Sequence, residues 1–344
     1  MSTSVDHLPR ELGALRIAND EVEVVVLSGK GADIHALVDR RSGIDVLFKT
    51  PWGARRPPAW PSTSTSLERW IDSYAGGWQL LLPNGGNECQ EQGVTWGFHG
   101  EAAMIPWRVV DHAADAVSLE ASLITAPVHI RRDLTLRGRS LRVHEVLTNA
   151  SPQAIEVMWS HHPAFGAPFV DGSCILSVGC REVVADDLAP GTLMAPGTRH
   201  AWPVVETTDG GREDLRRVPS PDEPRAVLAY LDDFSSGYFA VTNPTLNLGV
   251  GLRWPLDLFP TAWLWQEVHS GEGFPWFQRA YVIAVEPGTS YPGQGIVAVR
   301  SKGGALLRLG AGESRELVMD AVLFEGSTAV EAIDDDGVVH LAAT

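Results

Sequence analysis

Three segments of the sequence combine titratable side chains with aromatic residues, glycine and proline. They are Gly76 to Glu101, Trp159 to Phe165 and Trp263 to Gly288. Histidine and carboxylate side chains can exchange protons with a ligand near neutral pH. Aromatic rings pack against the apolar C–H faces of a sugar, while amide and acid groups bind its hydroxyls. These residue types therefore predict proton-transfer chemistry on a small hydroxylated ligand.

Two of these segments carry the strongest candidates for an acid and a base. Glu286 ends the apolar run Tyr281 to Val285, where a partly buried carboxylate would be a better base than an exposed one. His161 and His162 are adjacent on a predicted strand, so their side chains point to opposite faces and only one can enter a pocket. His99 follows an aromatic loop and is the third candidate, for ligand binding or for capping backbone groups.

Four further residues are predicted to contact the ligand. Alternation along the strand places Trp265 on one face and Gln266 on the other, where Gln266 could approach Glu286. Asn84 lies in an Asn/Gly-rich loop. Glu101 could bind a hydroxyl group, or it could pair with an arginine such as Arg55 or Arg56.

The rest of the chain reads as strands that hold these segments. Apolar residues alternate with period two, and 34 glycines and 23 prolines separate the runs. The clearest runs are Glu21 to Leu27, Ala116 to Leu123, Val128 to Leu136, Ser140 to Leu147, Ala154 to Trp159, Leu246 to Leu252 and Glu316 to Phe324. Only Ser66 to Ser73 predicts a short helix. The pattern predicts an all-β protein, a large antiparallel sandwich formed by residues 1–344 as a single domain.

Two irregular stretches interrupt the strands. Pro51 to Ser66 is rich in Pro, Ser and Thr and predicts a long loop, and Pro190 to Pro224 predicts an irregular excursion or an inserted hairpin. Strands of the same character lie on both sides of each stretch. Neither is therefore interpreted as a linker between domains.

Charge and composition exclude several classes of partner. The formal net charge is −16, which disfavours nucleic acid and anionic membrane surfaces and favours an uncharged ligand. The three cysteines lack the spacing of a disulfide framework or a zinc site. The N-terminal residues lack an apolar run, and no stretch approaches the ~20 apolar residues of a membrane helix. We expect a cytoplasmic protein without metal or cofactor, and its oligomeric state is left open.

The order of the motifs resembles the aldose 1-epimerase (galactose mutarotase-like) family over nearly the whole chain. The matching stretches are Gly31 to Leu47, His99-Gly100 after Pro83 to Gly86, His162 to Phe165, and Ile283 to Gly288. The resemblance implies a β-supersandwich that interconverts the α and β anomers of a free aldose. It also implies Glu286 as the base, His162 as the acid and His99 as a group that binds near the ring oxygen, with His161 as a substitute for His162.

The chemistry of anomer exchange requires such a pair. A base removes the proton of the anomeric hydroxyl while an acid protonates the ring oxygen, and the roles reverse when the ring closes. Three alternatives remain open from the sequence. They are a sugar-binding module without catalysis, a lyase or sugar isomerase on a related sandwich, and a cupin-like metal-dependent isomerase with His99, His162 and Glu286 as ligands.

Overall fold

The computed structural model describes residues 7–56, 65–187 and 193–343. In the first half of the chain the strands are β1 (Ala14–Ala18), β2 (Val22–Leu27), β3 (Asp33–Asp39), β4 (Ile44–Asp45), β5 (Trp78–Leu81), β6 (Cys89–Glu91), β7 (Val94–Trp96), β8 (Arg108–His112), β9 (Ala116–Ser122), β10 (Val128–Arg137), β11 (Ser140–Asn149), β12 (Ile155–Val157) and β13 (Ser160–Gly166). In the second half they are β14 (Ile175–Val178), β15 (Glu182–Ala185), β16 (Arg199–Ala201), β17 (Val204–Glu206), β18 (Arg212–Asp214), β19 (Arg225–Asp232), β20 (Tyr238–Asn243), β21 (Leu248–Arg253), β22 (Thr261–Val268), β23 (Tyr281–Gly288), β24 (Leu307–Leu309), β25 (Ser314–Phe324), β26 (Val330–Ile333) and β27 (Val339–Leu341). The helices are α1 (Ser66–Ser73) and α2 (Ile296–Ser301), and single 3₁₀ turns cover Arg10–Leu12 and Ala102–Met104.

Two large antiparallel sheets contain most of these strands. The first sheet has 11 strands in the order β1-β2-β3-β5-β13-β23-β22-β19-β15-β16, with β4 paired to β3. The second has eight strands in the order β14-β20-β21-β25-β11-β10-β9-β8. The prediction of an all-β antiparallel sandwich is confirmed.

The two sheets bury one continuous apolar core between them. Its residues include Val24, Leu80 and Ile283 from the first sheet together with Ile130 and Val143 from the second. Because side chains alternate along a strand, the next residues of the first sheet point to its other face. There Ala164, Val282 and Ala284 pack with α1 in a second apolar cluster. The functional candidates therefore divide between the inner face and the outer face of the first sheet.

Helix α1 spans the predicted residues Ser66–Ser73. The hydroxyl of Thr65 accepts a hydrogen bond from the backbone N–H of Glu68 at 3.2 Å, which satisfies one of the free donors of the first turn. Trp70 and Ile71 are buried against the outer face of the first sheet. The predicted loop before the helix lies partly outside the described residues, at positions 57–64.

The stretch from Pro190 to Pro224 is a hairpin insertion over its described part, which begins at residue 193. Strand β16 extends the first sheet beyond β15, and β17 pairs with β18. This outcome selects the hairpin over the irregular excursion.

Candidate active site

A cavity of about 200 Å³ lies on the outer face of the first sheet, beside α1. Its polar side chains are His99, His162, Glu286 and Gln294. Its apolar lining consists of Leu67, Trp70, Ile71, Tyr74, Phe98, Leu228, Trp263, Trp265, Pro275 and Trp276. A few polar groups within an aromatic wall are typical of a small-ligand site.

Strand register brings His162 and Glu286 together. β13 and β23 are adjacent and antiparallel, and both side chains point to the outer face. The Nε2 atom of His162 lies 3.6 Å from Oε1 of Glu286. The two residues are 4% and 3% exposed, so water is largely kept from the pair. Two titratable groups at this distance can both reach one small ligand in the cavity.

Burial shifts the proton affinities of this pair in opposite directions. Loss of solvation lowers the pKa of His162 to about 4, with a smaller effect from the charge of Lys30. Loss of solvation also raises the pKa of Glu286 well above its usual range. Burial thus favours the neutral form of each group, the protonated carboxyl of Glu286 and the unprotonated imidazole of His162.

A reciprocal pair of hydrogen bonds fixes His99. Its backbone N–H donates to the carbonyl of Gly86 at 2.9 Å, and the N–H of Gly86 donates to Nδ1 of His99 at 3.0 Å. Because Nδ1 accepts this hydrogen bond, the neutral ring carries its own hydrogen on Nε2. The next residue, Gly100, has a positive φ of 79°, which favours glycine. A Cβ atom there would also lie only 2.3 Å from the carbonyl oxygen of Leu82. Burial, followed by the charge of His162, lowers the pKa of His99 well below its usual value. His99 is thus a neutral donor.

His161 lies on the inner face of the sheet, 0% exposed, and does not line the cavity. The indole N–H of Trp78 donates to its Nδ1 at 2.9 Å, and its Nε2 lies 3.2 Å from Oε2 of Glu145. We therefore remove His161 from the ligand-binding candidates and from the candidates for the acid. The tight packing of the core leaves a ligand no access to this ring.

The prediction for Gln266 is also corrected, because this side chain lies on the inner face of the sheet. It pairs in register with Ile283, whose side chain belongs to the inner core, whereas Trp263 pairs with Glu286. Gln266 is 0% exposed and lies on the face of the sheet opposite Glu286. The expected approach of Gln266 to Glu286 is wrong.

Asn84 and Glu101 hold the loops around the site rather than the ligand. The Asn84 side chain accepts from the backbone N–H of Ile296 at 2.9 Å and donates to two loop carbonyls, those of Asn87 and Gly97. The Glu101 carboxylate accepts from the backbone N–H groups of residues 124 and 125. Both side chains are fully engaged and do not line the cavity. We remove both from the ligand-binding candidates.

The two arginines considered as partners of Glu101 bind elsewhere. Arg55 pairs with Asp72, and Arg56 pairs with Glu11 at 2.8 Å. Among the described residues, no group of three or more His, Cys, Asp or Glu side chains has the geometry to hold a metal ion. Also within the described ranges, no helix is long and apolar enough to cross a lipid bilayer.

Trp265 does line the cavity, with its ring centroid 5.6 Å from that of His162. The sequence reasoning missed the residues of α1, Tyr74 directly after it, and Gln294. Positions 67, 70, 71 and 74 follow the spacing of one helical face, which is the signal that identifies them. Gln294 lies in a loop, and no local pattern marks it.

An ion pair behind the sheet supports the strand that carries His162. Arg132 and Glu145 are 1% and 0% exposed at their side chains and lie 2.6 Å apart. Burial by itself would raise the pKa of Glu145, but the charges of Arg132 and His161 outweigh it and lower that pKa to about 2. The indole of Trp159 also donates to the carboxylate at 3.1 Å.

Breaking this buried pair is expected to destabilise the protein. Arg132→Met leaves a buried carboxylate without its partner, so we expect the free energy of unfolding to fall by about 3–5 kcal/mol in urea denaturation near pH 7. The matched control is Arg142→Met, whose pair with Asp320 is partly exposed and should contribute less than about 1 kcal/mol.

The pH dependence of unfolding gives a second readout of this pair. In the wild type the depressed pKa of Glu145 stabilises the fold above about pH 4.5, and this contribution is lost as the pH falls towards 2. In Arg132→Met, burial favours the protonated carboxyl, so acidification from pH 7 to about pH 5 should recover stability. If Arg132→Met and Arg142→Met lost equal free energies of unfolding at pH 7, or if Arg132→Met did not recover stability on acidification, the buried pair would not have the role assigned to it.

The fold is that of the galactose mutarotase-like proteins. The Slr1438 protein from Synechocystis sp. PCC 6803 superposes with a TM-score of 0.66 at 16% identity, covering 95% of this chain and 99% of the other. A galactose mutarotase related enzyme from Lactobacillus acidophilus gives 0.66 at 14% identity, over 93% and 100% of the chains. A galactose mutarotase-like protein from Lactobacillus casei ATCC 334 gives 0.65 at 17% identity, over 90% and 100%.

Residues 10–322 match the family described as "Domain of unknown function (DUF4432)", and the chain belongs to this family. A comparison with curated proteins found no match.

Proposed function

We propose that this protein is an aldose 1-epimerase that interconverts the α and β anomers of a free monosaccharide. The observation that carries the proposal is the buried contact of 3.6 Å between His162 and Glu286 inside an aromatic cavity. The fold similarity supports the same class of ligand. A cavity of about 200 Å³ suits one sugar ring rather than a polysaccharide chain.

Ring opening moves two protons. One leaves the O1 hydroxyl and the other arrives at the ring oxygen. The base takes the proton of the O1 hydroxyl, the bond between C1 and the ring oxygen breaks, and the acid protonates the ring oxygen. The open aldehyde then turns about the C1–C2 bond, and the same steps in reverse close the ring on the other face of the carbonyl. The pair ends each cycle with the one proton that it held at the start.

We assign Glu286 as the base towards O1 and His162 as the acid towards the ring oxygen. This state has the proton on His162, whereas burial without a ligand favours the form with the proton on Glu286. The two forms contain the same number of protons, so the ligand only has to shift a proton within the pair. The N–H of His99 can donate a hydrogen bond to the sugar without exchanging a proton.

The first experiment follows a freshly dissolved α-aldose to its anomeric equilibrium by polarimetry or NMR saturation exchange. Chelator-treated protein should accelerate this approach with at least one of D-glucose, D-galactose, D-xylose and L-arabinose. Binding of these sugars without acceleration would favour a sugar-binding module. Acceleration only after addition of a divalent metal ion would favour the metal-dependent isomerase.

The pH profile of kcat/KM should show a plateau with an acid limb near pH 4. Below that value His162 gains a proton while Glu286 keeps its own, and the pair contains no base. At high pH Glu286 ionises, and the pair loses its only proton. The rate is measured between about pH 3.5 and 10, with circular dichroism to verify folding. An acid limb near pH 6.5, the ordinary value for histidine, would contradict this order of titration.

A further inference from the structure

No lysine or arginine lies in the wall of the cavity within the described part of the chain. The undescribed residues, 1–6, 57–64, 188–192 and 344, contain no lysine, arginine or histidine, so they cannot supply a cationic side chain. Lys30 is buried nearby but forms an ion pair with the carboxylate of Asp33 and does not line the cavity. The described lining therefore has no lysine or arginine to neutralise an anionic ligand, and the one proton that His162 can carry is used in the reaction with Glu286.

Binding an anionic sugar in such a site would be unfavourable in free energy. Its phosphate or carboxylate would lose water without gaining an opposite charge. It would also lie close to Glu286, whose ionised form is needed as the base and would repel it. A neutral sugar meets neither cost.

Two residues of the cavity wall carry hydrogen-bond donors, the indole Nε1–H of Trp70 in α1 and the hydroxyl of Tyr74, which directly follows the helix. The side chains are 3% and 1% exposed, and neither polar atom has a hydrogen-bond partner. The two rings stack with centroids 4.5 Å apart. The Trp70 centroid is 4.7 Å from that of His99, and the Tyr74 centroid is 5.7 Å from that of His162.

Buried donors without a partner are rare because each has given up its bond to water. A ligand whose hydroxyl oxygens accept from these two groups would remove that cost. Trp70 near the end of α1 and Tyr74 at its C-cap stack on each other, so the two donors lie in the same part of the cavity wall.

We infer that the cavity selects an aldose without a negative charge, and that Trp70 and Tyr74 hydrogen-bond two of its hydroxyl groups. This inference rests on the proposed aldose 1-epimerase function and names the class of its substrate. Nothing in the acid–base chemistry requires either feature, since the reaction itself involves only the O1 hydroxyl, C1 and the ring oxygen.

The charge preference is tested by comparing D-glucose and D-galactose with their 6-phosphates and their uronic acids. We expect kcat/KM to be at least about 100-fold lower for every anionic sugar than for the better neutral one. If kcat/KM for the anionic sugars lay within about threefold of that for the neutral sugar, the inference would be overturned and the aldose 1-epimerase function would remain intact. Failure to convert any sugar would instead reject the proposed function.

The donors are tested by Tyr74→Phe and Trp70→Phe, with Tyr238→Phe as the matched control. Tyr238 is a buried tyrosine of the second sheet whose hydroxyl donates to the carbonyl of Glu331 at 2.8 Å, outside the cavity. Affinity for the better neutral sugar and for its monodeoxy analogues is measured by tryptophan fluorescence titration, which does not depend on turnover.

Each cavity variant should weaken binding of the parent sugar about tenfold and leave the affinity for one monodeoxy analogue within about twofold. The control should bind every sugar as the wild type does. Unchanged affinities in Tyr74→Phe and Trp70→Phe, equal losses for the parent and all analogues, or the absence of any sugar binding by the wild type would overturn the inference.

Discussion

Glu286→Gln is expected to lower kcat for anomer exchange by about 10²- to 10⁴-fold, the range that general acid–base catalysis contributes. The amide has nearly the same shape as the carboxyl group but cannot take a proton from the O1 hydroxyl. Glu286 is the only carboxylate among the described residues that line the cavity, and none of these neighbours replaces it as a base.

This variant should retain its sugar affinity. Burial raises the pKa of Glu286 and so favours its neutral form, and a neutral amide preserves the volume and most of the hydrogen bonding of that form. Fluorescence titration should therefore give a dissociation constant within about threefold of the wild type. A loss of kcat with intact binding separates a chemical role from a purely structural one.

The matched control is Glu101→Gln, a second carboxylate that sequence reasoning placed at the ligand. Its oxygens accept hydrogen bonds from the loop at residues 124 and 125 and do not reach the cavity. We expect its kcat to stay within about twofold of the wild type. Near wild-type turnover in Glu286→Gln would show that the base is another group.

His162→Asn should lower kcat by a similar factor, because asparagine can hydrogen-bond but cannot exchange a proton at this position. The protein should remain folded, since the Nδ1 atom of His162 has no hydrogen-bond partner whose loss would destabilise it. The rate is measured by polarimetry, and the free energy of unfolding is measured in urea.

His161→Asn is the informative partner of this experiment, since the two histidines are adjacent in sequence. His161 contacts Trp78 and Glu145 within the core, so its loss should reduce the unfolding free energy by about 1–3 kcal/mol. Its kcat should stay within about threefold at a temperature where the variant is folded. If His161→Asn abolished turnover without loss of stability while His162→Asn was active, the assignment of the acid would have to be reversed.

The strands and the helix could be read from local pattern because their causes are local. Apolar residues in Val128–Arg137 and Ser140–Asn149 alternate with period two, and each strand lies close to the predicted bounds. Helix α1 matches its prediction because Thr65 begins it with a capping hydroxyl and Trp70 and Ile71 form its apolar face. Strand pairing is less predictable, since β13 binds β23 across more than a hundred residues.

The sequence predicted the residues of the cavity less accurately than the fold. Glu286, His162, His99 and Trp265 lie together at one cavity, while Asn84, Glu101, His161 and Gln266 lie outside it. Residue type did not separate the two sets, because buried polar side chains also form hydrogen bonds to loop backbone and within the core. The hydrogen-bond partners, which come from distant segments, make the distinction.

By itself the sequence determined the alternation of its strands, the capped helix at Ser66–Ser73, and the rule that His161 and His162 must point to opposite faces. Those features follow from interactions within a few residues. Only the tertiary structure decided which of the two faces opens on a cavity, because that depends on which side of the first sheet the second sheet covers. The same non-local packing placed α1 over the open face and brought Trp70 and Tyr74 beside His162.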